Sequence, residues 1–502
     1  MENGILTRYL NSLNGNSPNE KAIAFYAALD SVATVSPLVS KTIINELKDQ
    51  RGNLKLIASE NYSSLATQLA MGNWLTDKYA EGYAGHRFYA GCDNVDILEE
   101  EACKLACELF GAEHAYVQPH SGADANLVAF TAVLSARVHK PLIDEKGLKD
   151  IRELTEEDWL KLREKTNNQK LMAMDIGAGG HLTHGYRLNI SSLLFESHNY
   201  GVDRETGLVD LDALRKQAHE VKPLILLAGF SAYPRKLNFA KIKEIADEVG
   251  AVFMVDMAHF AGLVAGGVFT DEYNPIKYAD IVTSTTHKTL RGPRGGIVLC
   301  KKEFAEYVDK GCPFILGGPL PHVIAAKVIA FKEALHPEFK TYSHKIVENS
   351  QALAEACKNE GMILSRDGTD NHLLLLDVFQ SFKLTGRQAE SALRECGLTM
   401  NRNALPYDVN GVWYASGLRL GTPAVTTLGM GIPEMKEIAS IIKLILGSTQ
   451  PETVKSGPMA GQISQAKYIL AESAKTEALN RVKALLAKFV LYPELDLELM
   501  EG

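Results

Sequence analysis

"PLILLAGFSAYPRKLNFAKIKEIADEVGAVFMVD", residues Pro223 to Asp256, decides the fold. Two apolar runs, "PLILLAGF" and "AVFMVD", enclose "FAKIKEIADEVG", where apolar residues recur at helical spacing. A run apolar at every position fits a strand covered on both faces, and strand, helix and strand in succession predict a parallel unit. The alternation continues outward. "HAYVQPH" and "KLMAMDIG" read as strands, "SGADANLVAFTAVLSARV" and "VDLDALRKQAHEV" as helices, and "ADIVTSTT" and "GGIVLCKK" follow as further short apolar runs. The prediction is an α/β protein: a helical arm at 1–58, then a large, mostly parallel sheet domain at 59–330.

From about Phe331 the pattern changes. One long helix, "VIAAKVIAFKEALH" continuing past Tyr342, leads to "HLLLLDVF", "LTGRQAESALRECG" and "GLRLGTP". This mixture predicts a smaller C-terminal α+β domain at 331–502, with a final amphipathic helix in "EALNRVKALLAKFVLYPEL". Residues 137–170 are densely charged with both signs and read as a solvated surface insertion, with its own helix from about Glu156.

A chain of 502 residues suggests two or three domains, and 46% hydrophobic with 23% charged residues is ordinary for a soluble protein. The net charge of -8 argues against nucleic acid or an anionic membrane as the main partner, while leaving room for local basic pockets. Seven cysteines without a Cys-x-x-Cys imply no disulfide framework. Cys103 and Cys107, one helical turn apart, read as small apolar residues on a helix face rather than as metal ligands. "MENGILTRYLNSLNGN" has no signal-peptide pattern, and "AIAFYAALDSVA", short and holding Asp30, cannot span a bilayer. A cytoplasmic protein is expected.

Parallel sheets bind ligands beyond the carboxyl ends of their strands. There "QPHSGADAN" opens a helix at Ser121, Gly122 and Ala123, which suits a phosphate at the positive end of the helix dipole, although Ser-Gly is also common capping. Asp256 ends the most apolar strand, where a carboxylate wants a cationic partner or serves as a cap; His259 follows. Lys288 ends another, just after Thr285, Thr286 and His287, and a partly desolvated lysine can form a Schiff base. An anion site, a carboxylate and an amine are together what pyridoxal 5'-phosphate requires. His181, in "GGHLTHG" with Gly179 and Gly180, offers a flat partner for its ring. The alternative for His181 and His184 is a metal, for which no acidic third ligand stands nearby; no metal site is expected.

"LIASENY", "KYAEGYAGHRFYAG", "QPHSG", "GGHLTHG", "GFSAY", "VDMAH", "TTHKTLRGPRGG", "GGPLPHVIAAK" and "SGLRLGTPA" succeed one another from Leu56 to Ala424. In this order they resemble serine hydroxymethyltransferase, a pyridoxal-phosphate family of the aspartate-aminotransferase fold, type I. The resemblance implies a one-carbon transferase acting on L-serine, glycine and tetrahydrofolate, as a homodimer with shared active sites. It implies that Lys288 carries the cofactor covalently, Asp256 pairs with the pyridine nitrogen and His181 stacks on the ring. Ser121, Gly122 and Ala123 hold the phosphate, with Tyr79 and Gly318 from the neighbouring subunit. His259 and Ser231 lie near the cofactor's phenolic oxygen and the substrate carboxylate, which Arg419 grips. Thr285 and His287 line the cofactor side. Glu81, as acid–base, and Tyr89 come from the neighbouring subunit to the hydroxymethyl group, beside Ser59. Ile176, Gly180, Leu182 and Asn403 match folate-contacting positions.

Some positions depart from the family pattern. Ala123 stands for serine, Ala84 and Ala90 for proline and glycine, and Leu428 for arginine; "CPFILGGP" is poorer in glycine, and "NRNALPYDVNGVWYASG" differs. These touch folate affinity, cofactor retention and side reactions. They motivate an alternative on the same cofactor site, a folate-independent 3-hydroxy amino-acid aldolase or an amino-acid racemase.

Overall fold

The computed structural model describes residues 4–456 and 460–501. Seven strands form the large sheet: β1 (His114–Tyr116), β2 (Lys170–Met174), β3 (Glu196–Tyr200), β4 (Ile225–Gly229), β5 (Val252–Asp256), β6 (Ile281–Thr285) and β7 (Gly296–Cys300). Their order is β1-β7-β6-β5-β4-β2-β3. The strands read from continuous apolar runs, β4 to β7, are buried at every position. Neighbours from β6 to β3 pair in parallel, whereas β7 is antiparallel to both β6 and β1. The chain therefore reverses between β6 and β7, and "HKTLRGPRGG" is the connection.

Edge strand β3, "ESHNY", has no expectation behind it: only Tyr200 is fully buried, so its polar residues carry no apolar signal. Around the sheet lie helix α1 (Asp93–Phe110), helix α2 (Gly122–Leu134), and helices such as Leu211–Val221 and Phe239–Val249. Cys103 and Cys107 on α1 pack against the sheet's core.

The predicted single helix past Phe331 is two, α3 (Pro321–Leu335) and α4 (Pro337–Asn359). His336 between them is extended, with φ -70° and ψ 145°, because a residue before proline is sterically pushed out of the helical region. The final helix also stops early, at Leu486. Beyond it the chain crosses to the N-terminal arm, where Arg51 donates to the Leu491, Tyr492 and Leu495 carbonyls at 2.6–2.8 Å.

A second sheet of four strands includes Leu373–Asp377, Asn401–Asn403 and Gly417–Gly421, all antiparallel. The hydrophobic cores of the large and small lobes do not divide at residues 58 and 330. Leu54 and Leu56 lie in the smaller core, because Leu54–Lys55 pairs in parallel with Leu398–Thr399. Helix α4 feeds both cores, with Phe339, Tyr342 and Ile346 in the larger and Leu353 and Cys357 in the smaller. The charged stretch 137–170 has its helix at Glu156–Asn167, capped by Thr155 and anchored by buried Leu162. Among the described residues, no helix is long and apolar enough to cross a membrane.

Candidate active site

Lys288 lies in the turn that reverses the chain after β6. Arg291 N–H donates to the Lys288 carbonyl at 3.0 Å, Gly292 N–H to that of Thr286 at 2.7 Å, and Thr286 N–H to that of Gly295 at 3.1 Å. Asn61, in "LIASENY", braces the turn from outside by donating to the same Lys288 carbonyl at 2.9 Å. The Lys288 ammonium donates to Thr285 Oγ1 at 3.2 Å. Burial pushes its pKa down to about 8, against the pull of Asp256; Arg419 and Arg294 add to the fall. The unprotonated amine is the nucleophile toward an aldehyde. Capture of pyridoxal phosphate by the apoprotein should therefore speed up about tenfold per pH unit and level off near pH 8. A rate still climbing at pH 10 would mean that Lys288 keeps an ordinary lysine's acidity; stopped-flow absorbance reads the difference.

Asp256, at the end of β5, is fixed by three donors. Asn126 Nδ2 and His184 Nε2 reach Oδ2 at 2.9 and 3.0 Å, and Ala258 N–H reaches Oδ1 at 3.0 Å. Burial alone would raise its pKa, but the bonds from His184 and Asn126 outweigh burial and hold the carboxyl well below the usual range. His184 Nδ1 accepts from His181 N–H at 3.3 Å, so both nitrogens of His184 are engaged and the H-x-x-H serves the carboxylate. His181 is half-buried, with Nδ1 2.8 Å from Thr183 Oγ1; burial, with His184, lowers it to about 4 and keeps the ring neutral.

Ser121 caps α2, its Oγ accepting from Asp124 N–H at 3.1 Å. Gly122 and Ala123 occupy the first turn, whose N–H groups have no carbonyl of their own helix to meet. A Cβ on Gly122 would stand 2.7 Å from Thr285 Cγ2, so this turn lies directly against the end of β6. Across the site, Arg419 on strand Gly417–Gly421 donates through Nη1 to the Ser231 carbonyl at 2.7 Å and through Nε to Asn401 Oδ1 at 3.1 Å. Burial lowers its pKa to about 10. Ser231 Oγ donates to the Gly180 carbonyl at 2.8 Å. Gly180 could carry no side chain, since a Cβ would fall 2.1 Å from the Met174 carbonyl oxygen.

His259 is buried with Nδ1 3.1 Å from His372 Nε2, and burial holds its pKa well below the usual value. Burial also lowers His372 and His287 to about 3, and the Nδ1 atom of each is buried without a protein partner. Ile176 and Leu182 are exposed beside Gly180. Asn403 lies on the same short strand as Asn401, and Ser59 follows Ala58, which packs on Gly421.

Glu81, Tyr79, Tyr89 and Gly318 form a separate group. Tyr79 and Tyr89 meet edge to face at 4.9 Å, and a Cβ on Gly318 would lie 3.5 Å from Tyr79 Cζ. Both tyrosines are exposed. Glu81 leads into the hairpin Gly82–Tyr83/His86–Arg87, tied down by Gln118 Nε2 on the Gly82 carbonyl at 2.8 Å. One departure has its reason here: Ala84 N–H donates to buried Glu99 at 3.2 Å, a bond no proline makes. Ala90 gives its carbonyl to Lys78 at 3.0 Å, and Leu428 packs against the smaller core.

Sequence reasoning missed Asn126, Thr183, His372, Asn401 and Asn61. Asn126 carried a faint signal, one turn beyond the Ser121 cap; the others meet the site only through the fold.

These residues fit pyridoxal phosphate on grounds of their own chemistry. A lysine that burial makes nucleophilic sits near a carboxylate that burial fails to protonate, and polar ring nitrogens are left for a ligand to satisfy. On this sheet, that combination defines the class of pyridoxal-phosphate enzymes of fold type I. The family model described as serine hydroxymethyltransferase matches residues 32–143 and 165–442, its gap falling inside the charged stretch. The chain belongs to the serine hydroxymethyltransferase family. A serine hydroxymethyltransferase of Treponema pallidum (strain Nichols) is 58% identical over 99% of this chain and 86% of its own length. One of Salinispora tropica is 54% identical over 96% and 100%, and one of Chlamydia trachomatis serovar D 51% over 98% and 99%.

Proposed function

We propose that the residues around Lys288 perform the family's reaction, the reversible transfer of the hydroxymethyl group of L-serine to tetrahydrofolate, giving glycine and 5,10-methylenetetrahydrofolate. The observation that carries this reading is that the Lys288 amine lies within electrostatic reach of both the thrice-bonded Asp256 carboxylate and the half-buried Arg419 guanidinium. Pyridoxal phosphate, bound through Lys288, supplies an electron sink for the bond broken at the substrate's Cα.

The protein does the rest. Asp256, held ionised by its three donors, would keep a proton on the cofactor's ring nitrogen. Neutral His181 would cover the ring without repelling that proton, and Ser121, Gly122 and Ala123 would hold the phosphate. Arg419 binds the substrate carboxylate next to Ser231, which sets the substrate's orientation for cleavage. His259 and His287, kept neutral by burial, line the site with Thr285 without adding charge. Ile176, Gly180, Leu182 and Asn403 form the folate side. Glu81, moving a proton at the hydroxymethyl oxygen, and Tyr89, with Tyr79, Gly318 and Ser59, complete the site across a homodimer interface. The exposure of Tyr79 and Tyr89 in one chain supports this. A cytoplasmic setting suits an enzyme with seven free cysteines.

The test is the visible spectrum of the holoprotein alone, with glycine, and with glycine plus tetrahydrofolate. A long-wavelength band that appears only with both ligands is expected. A cofactor band indifferent to folate, with serine cleaved equally fast without it, would make the enzyme an aldolase or racemase instead.

A further inference from the structure

Lys327 on α3 is 1% exposed, and among the described residues its ammonium makes no ion pair. Nζ donates instead to three backbone carbonyls, those of Val117 at 2.5 Å, Pro119 at 3.1 Å and Gly296 at 2.8 Å. An ammonium has three donors, so its hydrogen-bonding capacity is filled by main chain. Burying such a cation is costly unless its donors are satisfied, as these three carbonyls satisfy them. Burial pushes its pKa down to about 7, against the pull of Cys103 and Glu99.

The carbonyls belong to two segments that meet behind the candidate phosphate site. Val117 to Pro119 is the exit from β1, two residues before Ser121, and Gly296 begins β7. Gly296 N–H donates to the Pro119 carbonyl at 2.9 Å, and a Cβ on Gly296 would fall 2.2 Å from the Ser121 carbonyl oxygen. The neighbouring Gly295 accepts from Thr286 N–H at 3.1 Å, which joins the same junction to the Lys288 turn.

We propose that Lys327 is a positioning residue for the cofactor's phosphate, clamping the exit of β1 to the start of β7 and so fixing the backbone from which Ser121, Gly122 and Ala123 present their donors. The role rests on the phosphate-cradle reading given above. Only a three-donor, tetrahedral head fits this junction; a planar guanidinium spreads its donors in one plane.

The test titrates apoprotein with pyridoxal phosphate and with pyridoxal, which has the same aldehyde for Lys288 but no phosphate, and reads both dissociation constants from visible absorbance. Lys327→Met should weaken pyridoxal phosphate about tenfold or more while changing pyridoxal less than about twofold, and Lys327→Arg, whose planar donors do not match the three carbonyls, should not restore it. Equal losses for both ligands, or none for either, would overturn the role, because a general structural defect does not change their ratio. Should Lys327→Met not fold, Gly295→Ala displaces the ammonium without removing it, its Cβ standing 2.6 Å from Lys327 Cε and 3.0 Å from Nζ. The same selective loss is expected, and equal losses again overturn the role. Ser121→Ala in parallel separates the two readings. A parent protein that binds pyridoxal phosphate no more tightly than pyridoxal refutes the cradle; a preference that falls with Ser121→Ala yet survives Lys327→Met refutes Lys327 alone.

Discussion

Lys288→Ala is expected to leave a folded protein without the absorption of a covalently held cofactor and with transferase activity reduced by about 10⁴ or more. The size follows from what the turn between β6 and β7 does. It holds an amine that burial lowers to about 8, so a sizeable unprotonated fraction is present at neutral pH, where an ordinary lysine has almost none. No other described lysine combines this acidity with Asp256 and Arg419 as electrostatic neighbours. Lys288→Arg keeps the charge and much of the volume but stays protonated, and should lose activity as fully. Activity within about tenfold of the parent in either variant would show that the reaction does not run through this residue.

Arg419→Lys should raise KM for serine and lower kcat/KM by about 10²–10³, with the cofactor spectrum unchanged. Nη1 and Nε of Arg419 are held by the Ser231 carbonyl and Asn401, which fixes the plane of the guanidinium before any substrate arrives. A carboxylate can then meet a prepared fork, and its charge relieves the burial that lowers the arginine to about 10. A lysine at this position offers a point charge and cannot satisfy Asn401, the Ser231 carbonyl and a carboxylate in one plane. A fall in kcat with KM for serine unchanged would mean that Arg419 does not bind the substrate carboxylate.

The sequence made legible whatever local pattern determines. Strands β4 and β5 announce themselves because burial on both faces favours an apolar residue at nearly every position, with Asp256 as the polar residue that ends β5. β6 shows only Ile281 and Val282 before its buried Thr-Ser-Thr, and Lys288 lies three residues past its end, in the turn. β3 stayed silent because an edge strand can be polar. Pro337 was a readable stop inside an apparently continuous helix, and the apolar periodicity on both sides concealed it. The partners of Asp256 were beyond reach for another reason. Asn126 and His184 lie 130 and 72 residues away in sequence, and nothing in a histidine's neighbours says which carboxylate it will meet. His372 is 113 residues from His259 and belongs to the other sheet's lead-in.

The passage of α4 through both cores, together with the strand Leu54–Lys55 seated on Leu398–Thr399, bears on how the chain can be cut. A fragment ending near residue 330 separates Ile324 and Val328 from Phe339, Tyr342 and Ile346 of α4, which belong to the same core. Removing the arm before residue 58 strips the smaller lobe of Leu54 and Leu56. Neither lobe should therefore fold when borrowed, swapped or expressed alone, and split halves of this enzyme should regain structure only when mixed.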